Sequence, residues 1–163
     1  MQSKDQEILS ILARDARTSA EQIARMTGRG AEEVQQDITR LEKAGVIKRY
    51  KAIIDWEKAG VERVTAFINV KVTPARDVGF DDIARRIFRL PEVKSVYLVS
   101  GDADLRVVVE AATLRQMGQF VSEKLATING VIGTTTHFML KRYKEDDDVF
   151  VDQEEDNRLV VAP

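Results

Sequence analysis

The sequence has no cysteine. That excludes disulfide frameworks, thiol catalysis, Cys-ligated zinc and iron–sulfur clusters, and it fits a reducing cytoplasm, the expected location. One histidine, His137, is too few for a multi-histidine metal site or a Ser/His/Asp triad, so neither metal nor cofactor is expected. Three prolines, nine glycines and 6% aromatics argue against disorder, collagen-like repeats and low complexity. No apolar run approaches the roughly 18 residues of a membrane span, and the opening MQSKDQEIL is not a signal peptide, so no membrane association is expected. What remains is a chain of 163 residues, 44% hydrophobic and 32% charged, enough for one ordinary domain or two small ones.

A formal net charge of −2, read alone, speaks against nucleic acid, because phosphate binding wants a basic surface. The charge is unevenly spread. Residues 1–60 carry 11 Lys+Arg against 10 Asp+Glu, and residues 61–144 carry 13 against 9. Residues 145–163 carry one Arg against eight acids. The acidity therefore belongs to a short C-terminal tail, which reads as solvated and partly disordered, although Leu159-Val160-Val161 is apolar enough to dock.

The first sixty residues read as three amphipathic helices. Ser3 and Gln6 form a capping-box pattern ahead of an apolar stripe of Ile8, Leu9 and Leu12. Ser19 and Gln22 repeat the box for a short second helix with Ile23 and Met26, and Gly28 suits the left-handed residue that ends it. A third helix over roughly 31–44 puts Val34, Ile38 and Leu41 on one face before Gly45 stops it. The β-rich, basic stretch from Val46 to Asp55 follows, and a strand pair there would form a wing.

Two helices joined by a short Gly-containing turn are the helix-turn-helix pattern, with a generic three-helix bundle as the bland alternative. In a winged helix-turn-helix the third helix enters the major groove and wing cations meet phosphate. Outward-facing Gln36, Thr39 and Arg40 can then address base edges or phosphates, with Lys43 on the same side. Arg29, Lys48, Arg49 and Lys51 supply further cations. Glu32 and Glu33 favour the helix N-terminus but repel phosphate there, so affinity must draw on more than one copy of the domain.

After a linker over 55–63, with Trp56 expected to pack between domains, the pattern changes. Ala66, Ile68, Val70 and Val72 alternate with polar residues as in a half-buried strand ended by Pro74. A helix over 81–89 places Ile83, Ala84, Ile87 and Phe88 on one side. Strands over 93–100 and 105–111 flank a Ser-Gly-Asp-Ala-Asp turn. Thr113 and Gln116 cap a helix with a Leu114, Met117, Val121, Leu125 stripe, Asn129-Gly130 ends it, and 133–141 is a last strand.

The order β-α-β-β-α-β is that of a ferredoxin-like sandwich, giving an α+β protein. Its open sheet face is partly apolar, and a homodimer packed sheet to sheet would cover it. Asp102 and Asp104 lack a nucleophile, base partner or phosphate loop, so turn formation outweighs catalysis and no enzyme is expected. Backbone amides near Gly101 could still meet a ligand carboxylate, and an Asp could meet an ammonium group.

Several segments together resemble the Lrp/AsnC family of leucine-responsive, feast/famine transcription regulators. Asp5-Gln6-Glu7-Ile8-Leu9 with Ala16-Arg17-Thr18-Ser19, and the run from Arg40 to Ile47, are similar to the family's helix-turn-helix motifs. Val99-Ser100-Gly101-Asp102-Ala103-Asp104 resembles the GxxD core of its effector-sensing domain. Leu125 to Val131 with Thr134-Thr135-Thr136, and Asn157-Arg158-Leu159-Val160-Val161, resemble later family segments in the right order.

The resemblance implies a winged helix-turn-helix over 1–54, a linker over 55–63, an effector-sensing and oligomerisation domain over 64–144 and an acidic tail over 145–163. It implies double-stranded DNA and an amino-acid effector as partners, and dimers assembling further, as far as octamers. Carried onto this chain, the effector contacts are Gly101, Asp102 and Asp104, with Thr134 and Thr136. Ala103 stands where the family often has an aromatic, and Glu32 and Glu33 where its reading helix usually opens with Ser, Pro or Thr. The expected function is a DNA-binding transcription regulator responding to an amino acid. The alternative is an architectural DNA-binding protein without an effector, and a small phosphohydrolase lacks the anion site it needs.

Overall fold

A computed structural model describes residues 3–73 and 79–151. The chain divides into two compact units, Met1–Ile54 and Asp55–Pro163. The expected side-chain cap at Ser3, the strand stop at Pro74 and the docking of Leu159-Val160-Val161 lie outside the described residues. No helix among the described residues is long and apolar enough to cross a membrane.

The first unit holds α1 (Ser3–Arg14), α2 (Ala20–Thr27) and α3 (Ala31–Lys43). Their shared core is Ile8 and Leu12, then Ala20, Ile23 and Ala24, then Val34 and Ile38. Between α1 and α2, Asp15 folds the chain on itself: its Oδ1 accepts Arg17 N–H at 2.8 Å and its carbonyl accepts Thr18 N–H at 3.1 Å. This delivers Ser19 to the cap of α2, where Gln22 N–H donates to Ser19 Oγ at 3.3 Å and Ser19 N–H to Gln22 Oε1 at 2.8 Å. Gly28, at φ 67°, ends α2 in the left-handed conformation a side chain would strain.

Met26 is not in the core; it is 69% exposed. The buried residues of α2 run Ala20, Ile23, Ala24, and seven residues on from Ala20 the stripe reaches Thr27, so Met26 lies beside it.

The wing expected over Val46 to Asp55 is a second correction. No strand forms between Val46 and Arg63. Val46 and Ile47 N–H both donate to Leu41 O, closing the end of α3, and the chain then runs on without a strand partner among the described residues, with Tyr50 and Ile54 exposed. A strand exists only with a partner, and the chain beyond Ile54 instead turns tightly: Ala59 N–H returns to Asp55 O at 3.0 Å and Val61 N–H to Trp56 O at 2.9 Å. β-propensity supplied the residues but not a returning strand.

The second unit is a four-stranded antiparallel sheet, β1 (Val64–Val72), β2 (Val93–Leu98), β3 (Leu105–Ala111) and β4 (Val131–Phe138), in spatial order β2-β3-β1-β4. The helices α4 (Phe80–Phe88) and α5 (Leu114–Gln119) cover one face. Their Ile83, Ile87 and Met117 meet Ala66, Ile68 and Val70 of β1 and Leu105, Val107 and Val109 of β3 in one core. Alternation puts Phe67, Asn69, Arg106 and Val108 on the opposite face, which is helix-free among the described residues. Trp56 belongs to this unit, with the Arg63 guanidinium stacked 3.9 Å from its ring centre.

Four details depart from the sequence reading. Leu114, first in the expected stripe, is 64% exposed at the start of α5. Phe88, at the last position of α4, is 56% exposed. The helix after Thr113 widens into a π-turn over Phe120–Leu125, so Phe120 and Leu125, five apart, are both buried. The start of the acidic tail is a hairpin, β5 (Lys144–Glu145) with β6 (Asp148–Val149). Asp146 and Asp147, at φ 46° and 72°, make its turn, because aspartate tolerates the left-handed region that two-residue hairpin turns demand.

Candidate functional site

The helical period of α3 sends Val34, Ile38 and Leu41 inward. It therefore brings Gln36, Thr39, Arg40 and Lys43 together, and with Gln35 they line one shallow hollow on the outer face. Thr39 Oγ donates to Gln35 O at 2.9 Å, so its hydroxyl is left to act as an acceptor. The amide, hydroxyl and cationic groups of this hollow are the donor and acceptor types that read base edges and phosphates.

The cations around it differ in availability. Lys48 and Arg49 are exposed on the segment after α3, with Lys48 folded back towards Gly45. Lys51 is exposed on the same segment. Tyr50, between them, donates its hydroxyl to Glu42 Oε1 at 2.9 Å and ties the segment to α3. Partial burial, then the Glu42 carboxylate, push the Tyr50 phenol above its ordinary value.

Arg29 is placed differently from its expected role beside DNA. Its side chain is 7% exposed, and its Nη2 bonds Asp37 Oδ2 and, at 2.7 Å, Glu33 Oε1. Arg40 stays 53% exposed but is bound at 2.6 Å to Asp5 Oδ1 and at 2.8 Å to Asp37 Oδ1. These bonds hold the carboxyl of Asp37, first through Arg40 and then through Arg29, below the usual aspartate range. Reasoning by charge count missed Asp5 and Asp37 as partners. The signal was present, since Glu33 and Asp37 stand four and eight residues after Arg29, on one helix face.

In the second unit, Gly101 (φ 119°) and Asp102 sit exposed in the β2–β3 loop, while Ala103 is 3% exposed, its small side chain turned inward. Asp104 closes the loop: its carbonyl accepts Val99 N–H at 3.0 Å and its Oδ2 accepts Val72 N–H at 2.9 Å. Thr134 and Thr136 pair with Val70 and Ile68 of β1. Leu105 and Val107 of β3 pair with the same two residues from the other side, so β1 stands between the threonines and the loop. The structure groups the three loop residues and sets the two threonines apart on the edge strand.

Comparison with known proteins fits this two-part arrangement. Residues 65–149 match the Lrp/AsnC ligand binding domain model, and residues 1–59 match a second model, HVO_A0114. The chain is 51% identical over 161 residues to the HTH-type transcriptional regulator YugG of Bacillus subtilis, covering 98% of this chain and 97% of that one. The leucine response regulatory protein LrpA of Mycobacterium tuberculosis superposes with a TM-score of 0.75 at 26% identity, over 91% of this chain and 98% of that one. A feast or famine regulatory protein of M. tuberculosis complexed with L-methionine gives 0.74 at 26% identity, over 90% and 97%. The matched ligand-binding model covers more than half of the chain, and the identity to a helix-turn-helix regulator runs almost end to end: the chain belongs to the Lrp/AsnC family of transcription regulators.

Proposed function

We propose that the protein regulates transcription by binding double-stranded DNA through a helix-turn-helix head, α1–α3, with α3 in the major groove. The basic segment over 46–54 contacts phosphate where a wing would. One observation carries this reading: Gln36, Thr39, Arg40 and Lys43 share the outward hollow of α3, behind a capped α2 and a tight turn. The test is fluorescence anisotropy of the full chain with a duplex from upstream of its own gene, over rising salt. Binding should be salt-sensitive, and replacing Lys48 by Glu should weaken it and flatten the salt slope. Folded protein that binds no duplex even at low salt sinks the proposal.

The second unit, with its βαββαβ order, is on this reading a ferredoxin-like sensor for an amino acid. The L-methionine complex of a structural neighbour supports that ligand class. Gly101, Asp102 and Asp104 offer backbone amides and carboxylates to such a ligand from one loop, and Thr134 and Thr136 complete a site only where another copy is adjacent. Homodimers form over the helix-free sheet face, where Phe67 and Tyr97 are exposed, and assemble further, so that several weakly basic heads engage one DNA together. Effector binding then shifts the assembly that holds the heads. A thermal-shift panel of the twenty amino acids checks this, because a ligand of the folded state raises the melting temperature by mass action.

The engagement of Asp104 with the backbone of Val72 favours a second reading, architectural DNA binding without an effector. A flat thermal panel from protein that still binds DNA would select it.

A further inference from the structure

Asp37 divides its carboxylate between two arginines. Oδ2 accepts from Arg29 Nη2, and Oδ1 accepts from Arg40 Nη2 at 2.8 Å. Arg29 also donates to Glu33 Oε1 through Nε at 3.2 Å and Nη2 at 2.7 Å. Arg40 reaches across to Asp5 Oδ1 on α1 at 2.6 Å, and Asp5 is itself buried. A line of alternating charge thus runs Glu33, Arg29, Asp37, Arg40, Asp5, from the α2–α3 turn along α3 to α1. Of the two arginines, Arg29 is shut in, with its Nη1 buried and without a hydrogen-bond partner among the described residues, while Arg40 opens onto the hollow shared with Gln36, Thr39 and Lys43.

The position of Asp37 is costly for a DNA-binding helix. A carboxylate in the middle of the reading element repels phosphate and opposes the counterion-release term that dominates such affinities. Ion pairs of this kind are also weak evidence for stability as such, but they do fix geometry. A planar guanidinium held on two carboxylates, as Arg40 is on Asp5 and Asp37, has lost most of its rotamer freedom before any partner arrives.

We propose that Asp37 is a positioning residue for DNA recognition: it anchors α3 through Arg29 and aims Arg40 at phosphate, while Arg29 itself never touches DNA. This rests on the reading of α3 as the DNA-contacting helix. It predicts an effect opposite in sign to that of charge alone, because removing the acid weakens binding although it removes a repulsion.

The experiment measures salt-dependent anisotropy of the full-length protein with the duplex from upstream of its own gene and a random duplex of equal length. Asp37→Asn should bind about fivefold weaker or worse. Arg40→Met should lower the salt slope by about one, and Arg29→Met should leave the slope unchanged. In the Asp37→Asn background, Arg40→Met should cost less than in the wild type, a coupling in DNA affinity that a purely structural role for Asp37 does not produce. Asp37→Glu keeps the charge but displaces the carboxylate that aims Arg40, and should weaken binding and lower the slope as Arg40→Met does; it carries the test where circular dichroism shows Asp37→Asn unfolded. Folded Asp37→Asn or Asp37→Glu that binds as well as the wild type overturns the proposal, as does a slope reduced by Arg29→Met. Wild-type protein that binds neither duplex at low salt overturns instead the DNA-binding reading beneath it.

Discussion

Asp104 holds the end of β1. Its Oδ2 accepts the backbone N–H of Val72 at 2.9 Å, while its own N–H donates to Val70 O at 3.1 Å. The side chain continues a ladder that the backbone of β3 has left, and it satisfies a strand-end donor that otherwise needs water. The loop over 99–104 is therefore shaped by the residue that also offers it a carboxylate.

Replacing Asp104 by Ala should cost about 1–3 kcal/mol, the range for leaving a partly buried donor without its charged acceptor. Asp102→Asn, on an exposed side chain in the same loop, should stay within about 0.5 kcal/mol of the wild type. Urea denaturation measures both. Equal stability of the two variants would show that the Val72 contact contributes nothing.

Gly130 makes a second, sharper demand. It sits at φ 97°, where its carbonyl accepts Thr73 N–H at 2.9 Å, and a Cβ placed on it would lie 2.6 Å from Ile83 Cδ1. Ile83 is fully buried in the core, so it cannot move aside without displacing its neighbours. Gly130→Ala should destabilise by about 1–3 kcal/mol, from overpacking added to backbone strain. A melting temperature within a degree of wild type would contradict this.

Where local chemistry decides, the sequence is readable. Ser19 with Gln22 caps α2 and Gly28 ends it, because a side chain bonding its own backbone needs no tertiary help. The alternation of Ala66, Ile68, Val70 and Val72 predicts β1 for the same reason: period alone assigns a face. The outward group of α3, from Gln36 to Lys43, follows equally from period.

What is not readable depends on distant partners or on fine register. The residues from Val46 to Ile54 have β-propensity but pair with no strand among the described residues. The π-turn shifts burial from Val121 to Phe120, which a 3.6-residue period cannot foresee. Asp146 and Asp147 read as tail acidity, yet they serve as turn residues. Arg29 reads as a free cation until the carboxylates of Glu33 and Asp37 are placed beside it.

Acid should loosen the first unit in a predictable direction. Asp37 is held below the ordinary aspartate value by Arg40 and Arg29, and Glu33 below the ordinary glutamate value by Arg29. A carboxylate lowered in the folded state binds its proton more readily once unfolded. Its stabilisation is thus fully present above the ordinary carboxylate range, and it is lost as pH falls through the lowered folded value. Asp37→Asn should therefore be less stable than wild type at neutral pH, with the gap closing below about pH 4. Chemical denaturation at several pH values checks it, and a gap unchanged down to pH 2 would refute the linkage.

The acidic tail can be separated from the hairpin that begins it. Residues 152–163 hold four acids and one Arg, so a chain ending at Val151 has a formal net charge of +1 in place of −2. That chain keeps β5, β6 and Phe150, whose ring lies 4.8 Å from the Arg142 guanidinium and whose N–H donates to Tyr143 O. A chain ending at Lys144 loses all of these contacts along with the acids. Both truncations should bind a random duplex more tightly than the full chain at low salt. The advantage should fade as salt rises and the Debye length shrinks from about 30 Å at 0.01 M to about 8 Å at 0.15 M. The Lys144 truncation alone should also melt earlier, because it removes a cation–π contact and a hairpin rather than charge only. If the chain ending at Val151 binds DNA no better than the full chain at low salt, the tail does not repel DNA.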